Sequence, residues 1–412
     1  MSLVIGLDIG TTAARALAVD SAGAVMAEAT SEYPLLTPQP GWSEQNPEEW
    51  WDATRRVLAQ VAGAVDEPVL GLGLTGQMHG AVFLDAHDQV IRPALLWNDQ
   101  RTAAQCIEIT ERVGRDRLLA LAGNPALTGF QAPKLLWLRE QEPEHFKRIA
   151  HVLLPKDLIR LRLTGEYATD ASDAAGTLLL DLRRRDWSRE ILEALDLPTE
   201  WLPKVCEGPD VTGYLRADVA AEVGLPAGIP VAAGAGDNAA SAVGTGIIEP
   251  GLVSSSIGTS GVVFAQSSGF TPDPSGRLHA FCHAVPGGYH LMGVTLSAGG
   301  SLRWWRDVLG SKLTYEALAE LAASAPPGSE GLVFLPYTHR RAHASSRPLR
   351  AGRLLWAYNA SRSCAPHACR DGRRGLRHEE QPGDHDRPWP GRQPDPGDRR
   401  RGAQPTLAPT AG

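Results

Sequence analysis

Two short apolar runs in this chain border the same tight turn. Val4-Ile5-Gly6-Leu7 leads into Asp8-Ile9-Gly10-Thr11-Thr12, and Ser256-Ile257-Gly258-Thr259-Ser260 leads into Gly261-Val262-Val263-Phe264. Each reads as strand, Gly-Thr turn, strand. Around the first copy, residues 4–7, 15–20 and 24–29 alternate or run apolar between Gly-containing turns, which predicts a β-meander. Residues 48–65 carry Trp51, Leu58, Val61 and Val65 at helical spacing, and Asn46-Pro47-Glu48 is a start signal for that helix. Residues 69–74 and 81–84 are predicted strands flanking Thr75-Gly76-Gln77-Met78-His79-Gly80, and Arg189–Leu195 and Ala217–Val223 are predicted surface helices. Strands and helices mixed along the length predict an α/β class. No repeat of solenoid period is visible.

A Gly-Thr turn between strands offers backbone N–H groups and hydroxyls to an anion, with Gly letting the backbone approach closely. Either turn alone could be an ordinary hairpin. Two copies, with the carboxylate of Gly234-Ala235-Gly236-Asp237-Asn238 placed before the second, point to a duplicated fold closing over a nucleotide. Gly71-Leu72-Gly73-Leu74-Thr75-Gly76 has the spacing of a dinucleotide fingerprint. That fingerprint must open a helix, and another strand is predicted here, so the match is read as coincidence. Gly-x-x-x-x-Gly-Lys-Ser/Thr does not occur, which excludes a standard P-loop.

At 412 residues the chain has length for two or three domains. No stretch approaches the roughly 20 apolar residues of a membrane span, and Met1-Ser2-Leu3 enters a strand without a signal-peptide pattern. Five cysteines without a Cys-x-x-Cys pair read as free thiols, so the expected location is cytoplasmic. Cys364, His367 and Cys369 fit no common zinc spacing, and no structural metal is expected from them. Residues 1–338 carry a charge balance of −15 and residues 339–412 one of +8. An acidic main body argues against nucleic acid as its partner.

The stretch from His339 has no Val, Ile, Phe, Met or Lys and nine Pro in 74 residues. Ordering it would cost about 1–2 kcal/mol per residue, with little apolar area to offset that. A basic arm and a disordered tail are two readings. A frame-shifted translation fits better: shifting the codons of His339 to Arg347 by one nucleotide permits Thr-Gly-Glu-Arg-Thr-Pro-His-Pro-Asp.

Four segments carry candidate chemistry. Asp8 ends a strand beside the first turn, Gln77-Met78-His79-Gly80 is a polar turn, and Trp97-Asn98-Asp99-Gln100-Arg101 gathers an aromatic, amides, an acid and a base. Asp237-Asn238 follows a Gly-rich strand end. An aromatic wall with a few fixed hydrogen-bonding groups is suited to a small polyol. Singly, Trp97 reads equally as core, Asp99 and Arg101 as surface charges, and His79 as a satisfied buried histidine.

Together these segments resemble the FGGY carbohydrate kinases. Further carriers are Gly129-Phe130-Gln131-Ala132-Pro133-Lys134-Leu135-Leu136-Trp137, Pro155-Lys156-Asp157, Ser172-Asp173-Ala174-Ala175-Gly176-Thr177 and Gly299-Gly300-Ser301-Leu302-Arg303-Trp304. The resemblance spans residues 1–338. Gln131 departs from the usual Pro, Ser or Thr, a change expected to leave the chemistry untouched. Gln77-Met78-His79-Gly80 is most similar to members acting on D-xylulose, since glycerol kinases carry a different segment there. Members also follow Leu-Pro-Tyr with Gly-Glu-Arg-Thr-Pro-His, which the shifted codons after Leu335-Pro336-Tyr337 can spell.

The resemblance implies duplicated actin-like ATPase (ribonuclease H-like) domains, the second one incomplete. Residues 1–244 would form the sugar-binding domain and 245–338 part of the nucleotide-binding domain, with 339–412 non-homologous. The implied reaction is transfer of the ATP γ-phosphoryl to the terminal hydroxyl of D-xylulose, weak in the chain as written. Asp237 would be the general base and Asp8 would orient Mg²⁺. Gly10, Thr11, Thr12, Gly258 and Thr259 would cradle phosphate. Met78, His79, Trp97, Asp99 and Asn238 would line the sugar site. The expected partners are the sugar and ATP, with a homodimer as the assembly and neither nucleic acid nor membrane. Rival expectations are a kinase for another ketose or polyol, a non-catalytic sugar-binding remnant, and an actin-like or chaperone ATPase.

Overall fold

The computed structural model describes residues 2–295, 297–308, 313–335 and 353–356. The reading of residues 339–412 as a frame-shifted tail falls outside them, apart from the short strand Arg353–Trp356, and so does the Cys364/His367/Cys369 group. Among the described residues no helix is long and apolar enough to cross a membrane.

The first sheet is built on the predicted meander. Strands β1 (Leu3–Ile9), β2 (Ala13–Asp20) and β3 (Val25–Glu32) pair antiparallel in sequence order. β4 (Val69–Gly76) adds parallel to β1, and β5 (Pro230–Ala232) adds parallel to β4. The alternation of β1 buries Leu3, Ile5, Leu7 and Ile9 on one face and leaves Asp8 toward the other. Helix α1 (Pro47–Gly63) covers β2 and β3 with Trp50, Ala53, Val57, Leu58 and Val61. It starts where its sequence signal lies: the Asn46 side chain accepts from the Glu48 N–H at 3.1 Å and Pro47 fills the first helical position. The glycine fingerprint lies inside β4, which runs on to another strand, Val82–Leu84.

The second turn sits in a second antiparallel sheet. β6 (Val253–Ile257) and β7 (Gly261–Ser267) flank it; β9 (Tyr289–Thr295) pairs with β7, and β8 (His279–Cys282) pairs with β9. All four residues of β8 are buried, packed with Phe130 and Leu178–Leu180 in the core of the preceding part of the chain. The strand–turn–strand unit therefore occurs twice, as the duplication predicts.

The apolar pattern of the sequence predicts neither helix α2 (Gln131–Gln141) nor helix α3 (Pro155–Thr164). They are buried nearly all round, so no amphipathic period marks them. α3 carries a fully buried ion cluster. Lys156 Nζ lies 2.6 Å from Asp157, 2.8 Å from Asp170 and 3.3 Å from Asp173. Arg160, one turn on, donates to the carbonyls of Ala232 (2.9 Å) and Ala233, just before the Gly-rich turn at Gly234. Removing one partner from a buried cluster strands uncompensated charge. Lys156→Ala is therefore expected to lower unfolding free energy by about 3–5 kcal/mol, read by equilibrium urea denaturation. Arg162→Ala, which breaks a partly exposed pair with Glu48, is expected to stay within about 1 kcal/mol of the wild type.

Candidate active site

Two strand ends deliver the acids. Asp8 lies near the end of β1 and opposite Arg15 of β2. Its Oδ1 is buried without a hydrogen-bond partner, and burial holds its carboxyl above the usual carboxylate range against the pull of Arg15. Asp237 opens a helix, Asp237–Gly244, directly after the two-residue strand Ala235–Gly236 that pairs with the end of β4. The turn feeding that strand needs Gly234: its φ is +75°, and a Cβ there would lie 1.8 Å from the Leu74 carbonyl oxygen. Asp237 Oδ1 accepts from the Asn238 N–H (2.7 Å) and the Asn238 amide (2.8 Å). Burial pushes its carboxyl up to about 6, helped by the charge of Asp8. The Gly236 N–H donates to Ser172 Oγ (3.2 Å), and that hydroxyl donates to Asp170 of the Lys156 cluster.

A cavity of about 510 Å³ gathers Thr11, Met78, His79, Trp97, Asp237 and Asn238 from the first part of the chain. Gly258 with Ser256, Ile257 and Ser260 closes it from the second sheet. Trp97 Nε1 donates to Thr11 Oγ1 at 3.0 Å, tying the aromatic wall to the first turn and leaving the threonine's own proton for another acceptor. The carbonyls of that turn are held from behind. Tyr33 Oη donates to Gly10 O (2.5 Å), Gln45 Nε2 to Thr11 O (2.7 Å) and the Tyr33 N–H to Thr12 O (3.2 Å). Gln77 extends the set, donating to Gln45 Oε1 at 2.9 Å.

Asp8, Gly10, Thr12 and Thr259 are not among the residues that line the cavity; Thr259 turns its carbonyl to the Ala298 and Gly300 N–H groups (2.8 and 3.0 Å). Asp99, expected in the sugar wall, is not there. It is fully buried, with Oδ2 accepting from the Ser43 N–H (2.7 Å) and Arg101 Nη2 (2.7 Å) and Oδ1 from the Arg101 N–H (2.9 Å). Arg101, two residues on, draws the carboxylate inward, so its acceptor capacity is spent inside the protein. Sequence reasoning missed Phe130, His279, Met292 and Val294, which also line the cavity. Phe130 stands inside a quoted motif; His279 and Met292 come from strands whose sequence carries no site signal. Rings of His79 and His279 both meet Phe130 edge-on, at centroid distances of 5.0 and 5.7 Å.

The site can hold a small polar molecule between Met78, His79 and Trp97, with a raised carboxylate in the same wall and two Gly-Thr turns facing it. Comparison with known proteins agrees with that chemistry. The model of the FGGY family of carbohydrate kinases, N-terminal domain, matches residues 3–244. The xylulose kinase of Escherichia coli (strain K12) is 46% identical over 336 residues, spanning 81% of this chain and 69% of that protein. The xylulose kinase of Lactococcus lactis subsp. lactis (strain IL1403) is 44% identical over 342 residues, spanning 82% and 68%. The crystal structure of a xyloylose kinase from Brucella ovis superposes with a TM-score of 0.80 at 41% identity, covering 87% of this chain and 74% of that one. With the family model matched over residues 3–244 and relatives at this identity, on a duplicated α/β frame with a carboxylate and two Gly-Thr turns at one cavity, the chain belongs to the FGGY family of carbohydrate kinases, with their actin-like ATPase fold.

Proposed function

We propose that this chain phosphorylates D-xylulose at its terminal hydroxyl, taking the γ-phosphoryl of ATP and releasing ADP and D-xylulose 5-phosphate. The observation that carries this reading is the single cavity in which Asp237 shares a wall with Met78, His79 and Trp97, in a chain 46% identical to a xylulose kinase. Residues 1–244 hold the sugar and 245–338 contribute to the nucleotide side. Both substrates are small molecules, and neither nucleic acid nor membrane is needed.

Phosphoryl transfer asks the protein mainly for positioning and charge neutralisation. Met78, His79, Trp97 and Asn238 orient the ketose. Asp237 accepts the hydroxyl proton as the oxygen attacks phosphorus, and a carboxyl raised to about 6 stays ionised at neutral pH while being more basic than an exposed aspartate. Thr11, Thr12 and Gly10 on one side, and Gly258 and Thr259 on the other, meet phosphate oxygens. Asp99 contributes by fixing Arg101 and the loop that carries Trp97.

The residues fit Mg²⁺ as well. A buried Asp8 oxygen without a partner and a carboxyl held up by burial would both be relieved by a dication. Among the described residues no group of three or more His, Cys, Asp or Glu could hold a metal by itself, so the phosphates would complete its shell, as is usual for Mg²⁺. When bound, the ion supplies charge neutralisation of the triphosphate.

Three outcomes test the reading. Asp237→Asn is expected to cut xylulose-dependent ADP release by at least about 10²-fold while calorimetry shows xylulose binding largely retained; near-normal turnover would refute the assignment. Because Asp237 must be ionised to accept a proton, kcat/KM for xylulose should be level above about pH 6 and fall roughly tenfold per unit below it, a limb read from a pH–rate profile. Chelation with EDTA should stop ADP release and leave calorimetric xylulose binding unchanged.

A further inference from the structure

Lys134 sits in the motif Gly129–Trp137 that the proposed chemistry does not use, and it is completely buried. Burying an ammonium is costly unless it is well partnered; here burial pushes its pKa down to about 7, with Asp99 opposing and Arg101 adding to the shift. Its Nζ donates to two main-chain carbonyls, His79 O and Gly129 O, each at 2.7 Å. Those carbonyls belong to the two segments that bring His79, Gly129 and Phe130 to the cavity.

His79 needs such a hold. Its φ is +68°, the left-handed region that a non-glycine residue enters only at a steric penalty. The ring is fixed from its other end by Gly176, whose carbonyl lies 2.6 Å from Nδ1 and whose missing Cβ would sit 2.7 Å from that nitrogen. One helical turn before Lys134, the Gln131 amide donates to Gly80 O (3.0 Å) and Leu153 O (3.1 Å). Two successive carbonyls of the sugar loop are thus gripped by two side chains of α2 spaced i, i+3, which puts both on one face of the helix. The glutamine that departs from the family pattern is one of them.

We propose that Lys134 is a positioning residue for sugar recognition: by holding the His79 and Gly129 carbonyls it maintains the left-handed backbone that presents Met78 and His79 to the ketose. The inference rests on the sugar reading of the cavity given above.

The test uses the full 412-residue chain, D-xylulose calorimetry and hydrogen exchange. Lys134→Met, which keeps the length and removes the donors, is expected to weaken xylulose binding by about 10- to 100-fold, the range for leaving buried acceptors without a partner. Faster exchange should be confined to the amides of residues 78–81, with β1 still protected. Lys134→Gln retains a neutral donor and is expected to fall between Met and wild type; it carries the test if the methionine variant does not fold. A folded variant of either kind that binds xylulose like the wild type overturns the proposal, as does faster exchange spread over the whole core. Should the wild type itself bind no xylulose, the sugar reading fails first and this inference with it.

Discussion

Lys156 stands with its ammonium among three buried carboxylates, and the strand end that carries Asp237 is tied to that cluster through one serine. Burial alone would drive the lysine neutral; Asp157, Asp170 and Asp173 outweigh it and hold the charge. Asp170 in turn caps the short helix Ala171–Ala174, accepting from the Ser172 and Asp173 N–H groups at 2.8 and 3.1 Å. The Ser172 hydroxyl then spans the gap to Gly236. Buried ion clusters of this kind are often no more stable than a well-packed apolar cluster of equal volume. What the ions add is direction: Lys156 and Arg160 on one helix fix both the approach to Gly234 and the exit at Gly236, so the carboxyl of Asp237 is aimed by geometry set one layer below it.

That layer was largely illegible in the sequence, for a physical reason. The meander, α1 and the two helices Arg189–Leu195 and Ala217–Val223 have one wet face, and their alternation or helical period reports it. Helices α2 and α3 have none. In them Lys134, Lys156, Asp157 and Arg160 are all buried, which breaks the apolar pattern a core helix would otherwise show. The cavity was legible in part: Thr11, Met78, His79, Trp97, Asp237 and Asn238 meet in it because each stands at a strand end or polar turn. Asp99, which the resemblance put in the sugar wall, is not among the cavity's lining residues, because Arg101 two residues on claims its carboxylate. His279 and Met292 were invisible, since nothing local in β8 or β9 says which face of the second sheet turns to the cavity.

The two Gly-Thr turns reach the same end by different means. Every peptide bond in the described chain is trans, so each C=O points opposite to the N–H of the next residue. Holding Gly10 O and Thr11 O inside the protein therefore sends the N–H groups of Thr11 and Thr12 outward. In the second turn, Gly258 O accepts from the Gly299 N–H (2.9 Å) and Thr259 O from those of Ala298 and Gly300, which sends the Thr259 and Ser260 N–H groups outward as well. The first turn is gripped mainly by side chains, those of Tyr33, Gln45 and Gln77 from three separate segments, with the Tyr33 N–H taking Thr12 O. The second is gripped by backbone at the start of the helix Gly299–Val308, which approaches closely because a Cβ on Gly299 would lie 2.6 Å from Gly258 O. A repeated strand–turn–strand motif thus does not by itself turn its N–H groups outward. The N–H groups turn outward where something behind the turn takes its carbonyls, and in this chain each copy does so in its own way.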